Sequence, residues 1–146
     1  MRLFISITII LFTFACSGTK EMPGSISTTG IDFTNYTKLG FFITTEIYPG
    51  NYQSIGILSS TVWPEVTKVP DKYSSNDGRI VTDADGKKWF IKSINYKDAL
   101  DELYTKATKM GANAMMKFDI KSVSYQNGSL TVDGIQATGF AIKMTE

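Results

Sequence analysis

The stretch NYKDALDELYTKATKMGANAMMKFDIK, residues 95–121, decides the fold, because a helix and a strand are written into it side by side. Asn95 is a capping residue, and Asp98 stands three positions on, where a capping-box acid belongs. Ala99, Leu100, Leu103, Ala107 and Met110 recur at helical spacing and predict one apolar face. Glu102 and Lys106 form an i,i+4 pair on the solvent side, and Lys106 and Lys109 suit the negative end of the helix dipole. Gly111 supplies the left-handed residue that commonly closes a helix. Beyond it Met116, Phe118 and Ile120 alternate with Lys117, Asp119 and Lys121, the pattern of a strand with one buried face.

Working outward toward the C-terminus, Asn127-Gly128 predicts a tight hairpin turn, so that Ser129 to Val132 return along the preceding strand. Asp133-Gly134 predicts a further bend or bulge. The last strand is expected over Ile135 to Met144, with Phe140, Ile142 and Met144 on one face and Gly139 and Ala141 leaving room for close packing on the other.

Toward the N-terminus, Tyr52 to Trp63 reads as a strand ended by Pro64, and LGFFITTEIY, residues 39–48, reads as another ended by Pro49-Gly50-Asn51. Gly78 to Thr82 and Lys88 to Ile94 are expected to form a hairpin about the turn-rich Asp83-Ala84-Asp85-Gly86-Lys87, and Val66 to Asn76 a loop. The predicted class is α+β: an antiparallel sheet packed against one main helix, with an inserted hairpin before the helix.

Residues 1–15 place one basic residue, Arg2, before the apolar run Leu3 to Ala15, and the chain's single cysteine, Cys16, follows at once. The run is too short for a membrane span, which needs roughly 17–25 apolar residues, and it has the form of a cleaved export signal. It resembles a bacterial lipoprotein signal: Ala15 and Cys16 match that pattern, while Thr13 and Phe14 depart from it. The resemblance implies that Cys16 is lipidated and becomes the first residue of the mature chain, held by two or more acyl chains. Residues 16–30, rich in Ser, Thr and Gly, read as a flexible tether. Residues 31–146 are then a single domain. Ser17 is not the aspartate that retains many lipoproteins at the inner membrane, so the expected location is the cell envelope, at the outer membrane of a Gram-negative bacterium.

Cleavage would remove Arg2 and no acid, leaving 14 basic residues of the original 15 against 14 acidic ones. A nucleic-acid partner is not expected from a chain without basic excess. One cysteine also excludes an intramolecular disulfide.

The pattern Ala107-x-x-x-Gly111-Ala112-Asn113-Ala114, together with Ala137-Thr138-Gly139-Phe140-Ala141-Ile142, resembles the YbjQ-like domain superfamily, which includes RcsF-type lipoproteins. Phe140 stands where that pattern often has threonine, and Tyr52 to Leu58 resembles the strand leading into such domains. The resemblance spans roughly residues 39–58 and 96–144, with residues 64–93 as an insertion. It implies an α+β domain, a label of heavy-metal binding, assembly into rings, or disulfide-dependent stress signalling. With no histidine and one cysteine, neither a soft-metal site nor a disulfide sensor carries over. Gly111, Ala112, Asn113, Ala114 and Gly139 are therefore expected to serve the fold.

No catalytic template is present: there is no histidine base, no Gly-x-Ser-x-Gly elbow, no Ser-x-x-Lys and no phosphate loop. Asp98, Asp101 and Glu102 are spaced as a polar helix face. Asp83 and Asp85, with Asp77, are weak candidates for a hard metal ion, although Asp and Gly favour turns without one. No cofactor is implied. The expectation is a non-catalytic, lipid-anchored envelope protein whose domain binds a protein partner or a second copy of itself. The alternative is a ligand- or carbohydrate-binding accessory module, suggested by Phe41, Phe42, Tyr48, Tyr52, Trp63, Trp89 and Phe90.

Overall fold

A computed structural model describes residues 28–69 and 77–145. The export signal, Cys16 and most of the tether fall outside these residues. Among the described residues two helices and seven strands follow in the order α1 (Thr34–Lys38), β1 (Phe42–Ile43), β2 (Tyr52–Val62), β3 (Val66–Lys68), β4 (Gly78–Thr82), β5 (Lys88–Lys92), α2 (Tyr96–Lys109), β6 (Ala114–Asn127) and β7 (Leu130–Met144). The fold is α+β, mostly sheet, with one main helix.

Helix α2 begins and ends as its residues dictate. The Asn95 side chain accepts from the Asp98 amide while the Asp98 carboxylate accepts from the Asn95 amide, so two donors at the helix start are satisfied reciprocally. At the other end Gly111 takes φ +86°, Ala112 N–H donates to Ala107 C=O and Gly111 N–H donates to Thr108 C=O. That pair of bonds is a Schellman closure. Ala99, Leu100, Leu103 and Ala107 are buried, whereas Met110 is the C-cap and exposed. The expected Glu102–Lys106 pair does not form; Lys97 and Asp101 make the i,i+4 ion pair instead.

The main sheet has the strand order β1-β6-β7-β2. β6 and β7 form a long antiparallel hairpin about Gly128 and Ser129, with Asn127 as the last paired residue opposite Leu130. Positive φ at Gly128 alone fits a turn with glycine in its first central position. β2 pairs antiparallel with β7, and β1 pairs parallel with β6. The sheet is thus mixed rather than wholly antiparallel. The expected strand over residues 39–48 shrinks to Phe42–Ile43, preceded by α1, a helix absent from the sequence reading. Its five residues, TNYTK, are too few to carry apolar periodicity, and only Tyr36 among them is buried.

The predicted inserted hairpin is present as β4 and β5, antiparallel from Gly78–Lys92 to Thr82–Lys88. β3, expected within a loop, adds to the other side of β5 and makes a separate three-stranded sheet of order β3-β5-β4. Residues 70–76, the rest of that loop, lie outside the described residues.

The principal core lies between α2 and one face of the main sheet. Leu100, Leu103 and Ala107 of α2 meet Leu58, Met115, Phe118, Ile135, Ala137 and Ala141 there, closed at one end by Tyr36 and Phe41. Ala114, Met116 and Ile142 form a second cluster on the opposite face with Tyr48, Phe140 and Met144. Among the described residues no helix is long and apolar enough to cross a membrane.

Candidate functional site

The Gly111–Ala114 corner is occupied by the fold. Asn113 N–H donates to Ile142 C=O, and Phe42 N–H donates to Asn113 C=O at 3.1 Å. The Asn113 side chain then imitates another peptide group: Oδ1 accepts from Met144 N–H at 2.7 Å, and Nδ2 donates to Met144 C=O at 3.5 Å. One residue therefore ties β1, the start of β6 and the end of β7 together. Ala112 and Ala114 are buried.

Gly139 answers a break in the strand opposite it. β6 carries a bulge between Met116 and Asp119, with Lys117 at φ +51°. The extra residue shifts the alternation, so Met116 joins the outer cluster while Phe118 packs in the principal core and Ile120 packs against it. The expected common face for Met116, Phe118 and Ile120 is divided by this bulge. The displaced Met115 side chain fills the space over Gly139, where a Cβ would lie 2.2 Å from Met115 Sδ. The amides of the bulge turn to the segment after β1: Lys117 N–H donates to Glu46 C=O and Phe118 N–H to Thr44 C=O.

Gly134 is likewise a seat and not a bend. β7 runs through it in register, and a Cβ there would meet the six-membered ring of Trp63 at 2.5 Å. Glycine suits a positive φ and a close approach equally, and here the neighbouring aromatic uses the second property.

Asp83 and Asp85 share one turn, but Asp83 is consumed by it. Its Oδ1 accepts from the Asp85 and Lys87 amides at 3.0 and 2.8 Å, and its Oδ2 accepts from Trp89 Nε1 at 2.9 Å. These bonds, the one from Trp89 first, hold its carboxyl below the ordinary aspartate value against the opposing effect of desolvation. Asp85 accepts from Ser129 Oγ at 3.0 Å, which docks this turn on the tip of the β6–β7 hairpin. Among the described residues no group of three His, Cys, Asp or Glu converges as a metal site would require.

Two surface features have no such structural employment. β2 is an edge strand of the main sheet; its outer side pairs with no strand among the described residues. Its eleven residues, YQSIGILSSTV, contain no charge, and Ile57 is 79% exposed. Tyr52, at the start of β2, is also exposed; Tyr48 makes edge contact with it and with Phe42 of β1, the strand at the opposite edge of the sheet. The second feature is a groove between the hairpin tip and the inserted sheet. Trp63 and Tyr125 wall it with ring centroids 5.8 Å apart and planes at 62°. The sequence aromatics thus separate: Phe41 is core, and Trp63 is 44% exposed.

No protein-family model matches the chain, and no curated protein matches it. Among solved structures it is similar to a protein of unknown function from Pediococcus pentosaceus ATCC 25745 that belongs to the DUF74 family. The identity is 18%, over 73% of this chain and 99% of that one, with a TM-score of 0.45.

Proposed function

We propose that this chain is a lipid-anchored cell-envelope protein that works by binding, not by catalysis, and that its domain self-associates through the free edge of β2. The observation that carries the reading is the edge itself. Exposed strand edges are templates for further pairing, and soluble domains usually blunt them with lysine, proline or a short strand. β2 has none of these over eleven residues. A bulge at Ile55 is the one irregularity in its pairing with β7. A charged edge would repel its own copy; a neutral one can meet a second β2 across a two-fold axis with no like charges opposed. The exposed side chains of Tyr52 and Ile57 on the strand itself supply apolar area to bury on association.

The envelope part of the proposal is supported by the resemblance of residues 1–16 to a lipoprotein signal, with Cys16 as the anchor. The same proposal takes the domain as YbjQ-like, supported by the Gly111–Ala114 and Ala137–Ile142 patterns. Crosslinking in intact cells followed by co-purification tests the binding role: a specific homo-oligomer is expected, and a clean monomer at cellular concentration contradicts it. Fatty-acid labelling of wild type and Cys16→Ser tests the anchor. The variant should lose both label and membrane retention.

A further inference from the structure

We infer that the groove walled by Trp63 and Tyr125 is a binding site for a neutral glycan, with one pyranose ring seated on the two aromatics. This site is separate from the pairing edge of β2, and neither proposal depends on the other. Two adjoining hollows make the groove, of about 300 and 330 Å³, and they share Val66 and Asn127 as their common wall. The first is the aromatic one. The second is lined by the Asp83–Lys87 turn, Trp89 and Ser129.

Each element of the groove answers a feature of a sugar. A pyranose ring has an apolar C–H face that packs on an aromatic surface and a rim of hydroxyls that need hydrogen-bonding partners. Trp63 and Tyr125 remain 44% and 58% exposed, although covering large apolar rings is favourable. Trp63 is also held in place: its ring rests on Gly134, where any side chain would expel it. An aromatic fixed before the ligand arrives loses little further freedom on binding. The hydroxyl partners stand alongside. The Asn127 side-chain amide makes no hydrogen bond among the described residues, and Asp85 spends one carboxylate oxygen on Ser129 and leaves the other open.

The same groups select against other ligands. The carboxylates of Asp83 and Asp85 oppose a phosphate or nucleic acid. A bare cation finds Asp83 already engaged by three N–H donors, two on Oδ1 and one on Oδ2. A wholly apolar peptide would strip water from Asp85, Lys87 and Asn127 without replacing its hydrogen bonds, which is costly.

The test is titration of the full-length chain in detergent micelles with cellotetraose and with chitotetraose, read by calorimetry and tryptophan fluorescence, beside a proline-rich octapeptide. Saturable binding of either oligosaccharide is expected, with Trp63→Ala and Tyr125→Ala each weakening it about tenfold. Asn127→Ala should weaken it several-fold. Trp63→Ala also empties the seat over Gly134, so Tyr125→Ala, at an exposed ring, is the variant that separates binding from folding. Absence of saturable binding by both oligosaccharides overturns the proposal. So does sugar binding unchanged by Tyr125→Ala in a folded variant, or saturable binding of the octapeptide alone.

Discussion

The hydroxyl of Tyr36 donates a hydrogen bond to the carboxylate of Asp101, 65 residues away, and so fastens α1 to α2. Lys97 ion-pairs with the same carboxylate from one helical turn before. Burial alone would raise the Asp101 carboxyl, but the bonds from Lys97 and Tyr36 outweigh it and hold the group below its ordinary value. The Tyr36 hydroxyl is pushed the other way, first by burial and then by its bond to Asp101, well above the ordinary tyrosine value.

Tyr36→Phe should therefore cost about 1–2 kcal/mol at neutral pH, since it removes a hydrogen bond to a charged group. The two shifts set the pH dependence. The folded Asp101 value is depressed, so its contribution is present above about pH 4 and lost as pH falls through the folded value. The folded Tyr36 value is raised, so its contribution is present below about pH 10 and lost as pH rises through the folded value. Urea unfolding of both proteins from pH 3 to 11 should show the gap narrowing at each end. A difference constant across that range would mean that the loss is packing alone.

Gly139→Ala tests the Met115 seat. The added Cβ would lie 2.2 Å from Sδ and 2.5 Å from Cγ of a side chain that is fully buried, so Met115 cannot swing clear. Overpacking of this kind costs about 1–3 kcal/mol. Met115→Ala alone leaves a cavity and should cost about 2–5 kcal/mol. Combined, the two should cost less than their sum, and a double-mutant cycle by denaturant unfolding measures the difference. Strict additivity would place the clash elsewhere.

The residues that were legible in sequence are those whose signals are local. Asn95, Asp98 and Gly111 bound α2 through bonds that reach no more than five residues, and their spacing announces them. The hairpin about Gly128 is as local. What escaped depends on partners distant in the chain. Asp101 was indistinguishable from a solvated helix residue until Tyr36 arrived from α1. The two-residue β1 exists because β6 offers it a parallel edge. Lys117 at positive φ interrupts an alternation that looked unbroken, since nothing local marks that bulge. For the candidate surfaces, the aromatics were visible as a set, but which were core and which were wall required the Gly134 seat. The lack of charge in β2 was visible too, though its position at a sheet edge was not.

Asn113→Ala should remove the side-chain pairing with Met144 and leave the Met144 N–H without its acceptor. The expected cost is about 1–3 kcal/mol, the penalty for an unsatisfied partly buried donor. Asn113→Asp keeps an acceptor for Met144 N–H but cannot donate to its carbonyl, so it should fall between wild type and Asn113→Ala. Amide hydrogen exchange provides the local reading: Met144 should lose protection in Asn113→Ala before the centre of β7 does. Equal protection at Met144 in both proteins would show that the end of the sheet does not depend on this side chain.

Two neighbours on β2 separate association from folding. Ile57 is 79% exposed and Leu58 is 8% exposed, because successive side chains of a strand point to opposite faces. Ile57→Lys leaves the core untouched, so stability should change by no more than about 0.5 kcal/mol. It nevertheless places a charge on a strand that has none, and across a two-fold β2–β2 pair it brings two lysines close together. Sedimentation velocity of the full-length chain in detergent should show the oligomer dissociate to monomer in Ile57→Lys. Leu58→Lys buries a charge against α2 and should unfold the domain instead. An Ile57→Lys protein that remains folded and oligomeric would remove β2 as the interface, whatever else holds the copies together.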